Sequence, residues 1–260
     1  MIDTHCHLTS KKYSEPVEEI IRTAKKVGVG KFITIGTSLK SNLENKEIAN
    51  KFEDIYFAAG IYPHEDMSLS LPQLTKLFEE QISNMPNVVA IGECGIDITD
   101  RPGGRSLEDQ IKLFEMQIAV AKENNLPVII HNRNGDNHVI KTLRKHRDSN
   151  LRGVAHTYTS SWETAKKLIE LNFMISFSGI ITYPTGKNIL ETVKKIPLDK
   201  FLIETDAPYL APQSHRSQIN RPEYVKITAQ KIAETKNLPL REIEESSSKN
   251  AGRLFGLQQN

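Results

Sequence analysis

Pro127-Val128-Ile129-Ile130-His131 is a run of apolar residues in immediate succession, closed by a histidine. Hydrophobicity without alternation over so short a stretch predicts a strand covered on both faces, as in a parallel sheet. Seven other runs share this character: Met1–His5, Lys31–Thr37, Ile55–Ile61, Val88–Glu93, Arg152–His156, Phe173–Ser178 and Phe201–Asp206. The stretches between them read as helices. Pro16–Val27 places Val17, Ile20, Ile21 and Ala24 near period 3.6 and stops at Val27-Gly28. Leu107–Glu123 sets Ile111, Phe114, Ile118 and Ala121 on one stripe. Ser160–Leu171 opens on Ser160 or Ser161 as an N-cap, and Pro222–Thr235 and Leu240–Phe255 complete the helical portion. Alternating strands and helices predict the α/β class with a parallel sheet. Eight such units in one chain of this length predict a closed (β/α)8 barrel, a single domain over 1–260. An open doubly wound sheet is the competing topology, and neither GxGxxG nor a P-loop follows the first run to favour it.

Composition removes several classes. The 260 residues carry 34 Lys and Arg against 32 Asp and Glu, a net charge of +2, which gives little long-range pull on nucleic acid. No apolar run approaches the ~18–20 residues of a membrane span, so no membrane partner is expected. Met1-Ile2-Asp3-Thr4-His5 has neither the basic start nor the apolar stretch of a signal peptide. Cys6 and Cys94 cannot make a disulfide framework. A reducing, cytoplasmic setting is expected, and nothing implies an obligate protein partner.

The ligand-type residues fall where the runs end. His5 and His7 close the first, Glu93 the fourth, His131 the fifth, His156 the sixth and Asp206 the eighth. The C-terminal strand ends of a barrel share one face, where active sites are built. His5 and His7 are two apart and on a strand point the same way, with Cys6 turned elsewhere. Neutral imidazoles with a bridging carboxylate suit divalent ions, two of them if ~3.5–4 Å apart. A lone histidine is more often a hydrogen-bonded structural residue than a ligand; the conjunction of ligand-type residues at five of eight run ends is what predicts a metal centre. His138 and His146 lie in a basic helix, Asn137–Arg147, and read as solvated surface. His215 is open, and Cys6 and Cys94 read as packed, reduced thiols.

The pieces MIDTHCHL (1–8), GIYPHE (60–65), VVAIGECGIDI (88–98), LPVIIHNR (126–133), GVAHTYT (153–159) and FLIETDAPYLAP (201–212) resemble the TatD family of metal-dependent deoxyribonucleases, among the amidohydrolase-like TIM barrels. They span the chain in the family's order. The resemblance implies one metal on His5, His7 and Asp206, with Glu93 bridging to a second on His131 and His156. It implies that Asp206 also takes a proton from the attacking water, so Asp206 and Glu93 are the catalytic pair. His64 and Arg133 match positions that touch substrate phosphate, and Arg216, Asn220 and Pro222 lie in the family's last loop.

The chain departs from the family at Tyr62, at Ile98–Gly104 after GECGID, at Tyr158 and Ser160 within HTYTSS, at Asn134, and at Ser217 and Gln218 beside Arg216. These changes spare every proposed ligand and bear on substrate range. The implied activity is 3′-end trimming of single-stranded DNA with two divalent ions, among Zn, Mn and Mg. Substrate contacts are expected from His64, Arg133, Tyr158 and Arg216, with Tyr62, Tyr158 and Tyr209 as stacking surfaces for bases. Two alternatives stand: hydrolysis of carboxylic esters or cyclic amides, an aminoacyl ester on tRNA included, and a non-catalytic nucleic-acid-binding scaffold.

Overall fold

A computed structural model describes residues 1–257. Eight parallel strands run in chain order around one sheet. They are β1 (Ile2–Cys6), β2 (Lys31–Ile35), β3 (Ile55–Ala59), β4 (Val88–Asp97), β5 (Val128–Arg133), β6 (Gly153–Ala155), β7 (Phe173–Phe177) and β8 (Phe201–Ile203). The helices are α1 (Val17–Lys26), α2 (Leu39–Ala49), α3 (Leu71–Ser83), α4 (Leu107–Glu123), α5 (Asp136–Lys145), α6 (Trp162–Glu170), α7 (Lys187–Lys195), α8 (Val225–Lys236) and α9 (Leu240–Phe255). The seam between β8 and β1 is closed by a parallel bridge between Cys6 and Ala207. The result is the nearly closed (β/α)8 barrel that the alternating pattern predicts.

Local chemistry sets the elements. α1 buries Ile20, Ile21 and Ala24, carries Glu18 and Glu19 in its first turn and Lys25 and Lys26 in its last, and so complements its own dipole. Ser161 caps α6 by accepting from the Thr164 amide at 3.3 Å, and Ser106 caps α4 through the Asp109 amide at 3.2 Å. Two apolar layers result. One lies between strands and helices and takes in Cys6 and Cys94, both free and buried. The other fills the barrel with Ile2, Ile33, Ile35, Ala58, Ala90, Ile129, Val154, Met174 and Leu202, and is continued by Ala251, Leu254 and Phe255 of α9 with Leu257. The end of α9 thus plugs the barrel opposite the strand ends that carry the histidines. Among the described residues, no helix is long and apolar enough to cross a membrane.

The strand ends differ from expectation in a way that matters. β4 does not stop at Glu93; it runs on to Asp97 past a register irregularity between Ile91 and Cys94. β1 has a similar irregularity between Asp3 and Cys6, and His7 lies one residue beyond the strand. Simple two-residue alternation therefore does not govern these two strands. β8 ends at Ile203, three residues before Asp206. Gly95 has φ +143°, and a Cβ there would lie 2.1 Å from the His131 carbonyl oxygen, so β4 approaches β5 as only glycine permits. Leu254→Ala in the plug should cost about 3 kcal/mol and lower Tm by roughly 6–12 °C in a calorimetric melt.

Candidate active site

β1, β4, β5, and the segments following β6 and β8 deliver six side chains to one point at the barrel mouth. Glu93 lies at the centre. Its Oε2 is 3.3 Å from His5 Nε2 and 3.9 Å from His7 Nε2; its Oε1 is 2.7 Å from His131 Nδ1 and 3.2 Å from His156 Nε2. Asp206 Oδ1 is 3.3 Å from His7 Nε2 and 3.6 Å from His5 Nε2. His5 stacks on His156 with ring centroids 4.0 Å apart. The ligand atoms of His5, His7 and Asp206 lie within 4.8 Å of one another, as do those of His5, Glu93 and His156. His5 is common to both groups.

The backbone of the seam holds this arrangement. The Asp206 amide donates to the His5 carbonyl at 2.8 Å, and the His7 amide to the Ala207 carbonyl at 2.7 Å. Asp3 accepts from the amide and hydroxyl of Thr205, and burial pushes its carboxyl up to about 8. Asp206 has φ +59°, a left-handed conformation that aspartate tolerates better than most residues. Thr157 has φ +42°, unusual for a β-branched residue, and both its amide and its hydroxyl donate to Glu204 at 2.6 Å.

Two further carboxylates orient the imidazoles, and sequence reasoning did not single them out. Glu204 Oε1 lies 3.4 Å from His156 Nδ1, and Asp97 Oδ2 lies 3.6 Å from His131 Nε2. Tyr62 donates its hydroxyl to Asp97. The His7 Nδ1–H points at the Ile35 carbonyl at 3.3 Å, which leaves Nε2 to face Asp206. The signal for Glu204 was its place two residues before Asp206. The signal for Asp97 was its place four residues after Glu93, hidden by the extension of β4.

The electrostatics fit a cation. Burial lowers the pKa of His5, the neighbouring His156 lowers it further, and a neutral imidazole is the metal-binding form. Burial alone would raise Glu93, yet the His156 charge and the close imidazoles of His131, His156 and His5 hold it well below the carboxylate range. Burial likewise opposes ionisation of Glu204, but His156 and His5 bring it down to about 2. His7, His131 and His156 are raised, against burial, by these carboxylates. Both nitrogens of His5 and Nδ1 of His156 are buried without a hydrogen-bond partner. Buried polar atoms left unpaired cost about 1–3 kcal/mol each, and a divalent ion coordinated by imidazole nitrogen removes that cost for the coordinating atom. The residues present therefore fit a divalent metal.

A cavity of about 700 Å3 opens over the cluster, lined among others by Glu93, His131, His156, Asp206, Tyr62, Tyr209, Arg101 and Arg133. A family model described as TatD related DNase matches residues 2–256. The chain belongs to this family. YabD of Bacillus subtilis, named an uncharacterized metal-dependent hydrolase, is 36% identical over 255 residues, covering 98% of each chain. YcfH of Escherichia coli K12 carries the same description at 31% identity, covering 98% of this chain and 95% of its own. The crystal structure of YjjV, a TatD homologue from Escherichia coli K12, superposes with TM-score 0.92 at 30% identity, covering 99% and 98%.

Within this TatD-family barrel the expected substrate contacts separate. Arg133 is exposed and lines the cavity. His64 does not line it: its Nδ1 accepts from the Arg105 amide at 3.1 Å and its Nε2–H donates to the Asp97 carbonyl at 3.2 Å. With both nitrogens engaged by backbone, it braces the loop after β4. Tyr158 is corrected too. Its ring is buried in the outer core and its hydroxyl donates to the Ser161 carbonyl at 2.6 Å. Arg216 is exposed and sits over the Tyr183 ring at 4.1 Å, outside the cavity lining. Tyr209 is 43% exposed at the rim beside His7. His215 stacks on Tyr224 at 4.1 Å; His146 lies 3.4 Å from Glu115, and His138 is half-buried on α5. Glu204→Gln should weaken divalent-metal affinity about 10–100-fold in calorimetric titration, because outer carboxylates orient ligating imidazoles.

Proposed function

We propose that this chain is a divalent-metal-dependent phosphodiesterase that trims single-stranded DNA from its 3′ end. The observation that carries the reading is one cavity lined both by His7, Glu93, His131, His156 and Asp206 of the cluster and by Arg133, which makes no ion pair among the described residues. Its size lies within the ~300–1,000 Å3 of small-ligand pockets, suited to a terminal nucleotide rather than a duplex. His5, His7 and Asp206 would hold one ion, and Glu93 would bridge to a second on His131 and His156, drawn from Zn, Mn and Mg. Such ions supply hydroxide at neutral pH and offset phosphate charge.

The protein's own groups do the rest. Asp206 lines the cavity and accepts the proton of the attacking water on its carboxylate. Glu93 stays ionised because three imidazoles surround it. Asp97 and Glu204 keep His131 and His156 turned inward. Arg133 offers a planar fork of donors to a non-bridging phosphate oxygen. The free, buried Cys6 and Cys94 suit a cytoplasmic setting.

Purified protein reconstituted with divalent metal should release mononucleotides from single-stranded DNA. Asp206→Ala should lower kcat about 10²–10⁴-fold, and Glu93→Ala should abolish turnover. Hydrolysis of lactones or cyclic amides with no cleavage of DNA would overturn the assignment. Replacing His5 and His7 together should strip bound metal as measured by elemental analysis; unchanged metal content would remove the site.

A further inference from the structure

Two cations in the loops after β1 and β4 are held by aromatic rings instead of acids, as Arg216 is by Tyr183 beyond the cavity lining. Lys12, in the loop after β1, has its Nζ 4.1 Å from the centroid of the Tyr209 ring. Arg101, in the loop after β4, lies over the Tyr62 ring at 5.9 Å. Both are exposed, and Tyr209, Tyr62 and Arg101 all line the cavity. Neither cation makes an ion pair among the described residues. On the helical ring many cations are matched to acids, as in Lys112 with Glu108 and Asp109, Lys195 with Glu191, and Arg241 with Glu245.

The difference has a chemical meaning. A carboxylate partner cancels a cation's charge, whereas a tyrosine face fixes its position and leaves the charge for an incoming anion. The attraction is weak at exposed sites, so the cation can move from ring to ligand. Position adds direction. β1 and β4 are three places apart around the eight-stranded barrel, so the loops that follow them stand on different sides of the mouth. The same two strands supply His5 and Glu93, the ligand-type residues at its centre. The rings that hold the two cations border the cluster, Tyr209 against His7 at 5.6 Å and Tyr62 against His131 at 4.8 Å between centroids, so a strand of phosphates reaching from Lys12 to Arg101 passes beside it. The Arg101 loop is itself braced: the Arg105 amide donates to His64, and the Arg105 guanidinium donates to the Pro63 and Glu65 carbonyls. Besides Glu93 and Asp206 of the cluster, Glu65 lines the cavity and keeps the rim from being uniformly cationic.

We propose that Lys12 and Arg101 receive the phosphates flanking the scissile one, so that the ligand is a single strand bearing phosphate on both sides of the bond presented to the cluster. This rests on the phosphodiesterase reading and sharpens it. A strand whose final nucleotide ends in a 3′-phosphate engages both cations, and one ending in a 3′-hydroxyl engages a single one.

The test is binding of a phosphorothioate oligothymidine ending in a 3′-phosphate, which keeps its charge and resists hydrolysis, to metal-loaded protein across a salt series, read by fluorescence anisotropy. Each phosphate contact contributes about 0.7 to the slope of log affinity against log salt for single strands. Lys12→Gln and Arg101→Gln should each flatten the slope by about 0.7, and the double variant by about 1.4. Lys12→Arg should restore the slope, and Lys249→Gln on α9 should not alter it. The wild-type preference for a 3′-phosphate over a 3′-hydroxyl end should narrow in the single variant that lacks the cation receiving the 3′-phosphate and persist in the other. An unchanged slope in either variant overturns the proposal, as does poly-glutamate competing as well as the oligonucleotide. If the slopes shift as stated but the unmodified oligonucleotide is never cleaved, the two cations stand and the phosphodiesterase reading falls.

Discussion

Two backbone hydrogen bonds across the barrel seam govern the molecule. The Asp206 amide binds the His5 carbonyl and the His7 amide binds the Ala207 carbonyl. Through them the last strand closes on the first, and the same residues that close it carry the side chains of the site. Asp3 reinforces the joint by taking both donors of Thr205. Barrel closure and site assembly are therefore one event. The left-handed backbone of Asp206 persists because this joint holds it on one side and the Tyr209 amide binds its carbonyl on the other.

The centre is a balance of buried charge. An isolated buried carboxylate is costly, and each one here is matched. Glu93 has imidazoles on both oxygens, Glu204 has His156 with the amide and hydroxyl of Thr157, and Asp97 has His131, Tyr62 and Thr99. The carboxylates that raise His7, His131 and His156 also favour a divalent cation at the same point. Gly92, immediately before Glu93, and Gly95, two residues after it, both have positive φ and both lie against β5, where an added Cβ would meet the Ile129 and His131 carbonyl oxygens.

The barrel was legible in the sequence because short unalternating apolar runs recur eight times with amphipathic stretches between them, and parallel strands are usually joined by a helical crossover. The six clustered side chains were legible because their chemistry is distinctive and they end, or nearly end, those runs. Other features depend on contacts distant in sequence. The nitrogens of His64 are taken by the backbone of Arg105 and Asp97, 41 and 33 residues away. Tyr158 reads equally as a stacking surface or a packed ring until α6 is seen to cover it. Asp97 and Glu204 look like ordinary acids beside stronger candidates, and only the register irregularity of β4 and the strained Thr157 give them their roles.

The seam joins residues about 200 positions apart, and this has a bearing on synthesis. A ribosome emits His5 and His7 early and Asp206 near the end, so a nascent or truncated chain holds at most part of the cluster. The cluster of this metal-dependent hydrolase is thereby incomplete until Asp206 has been made and the seam has formed.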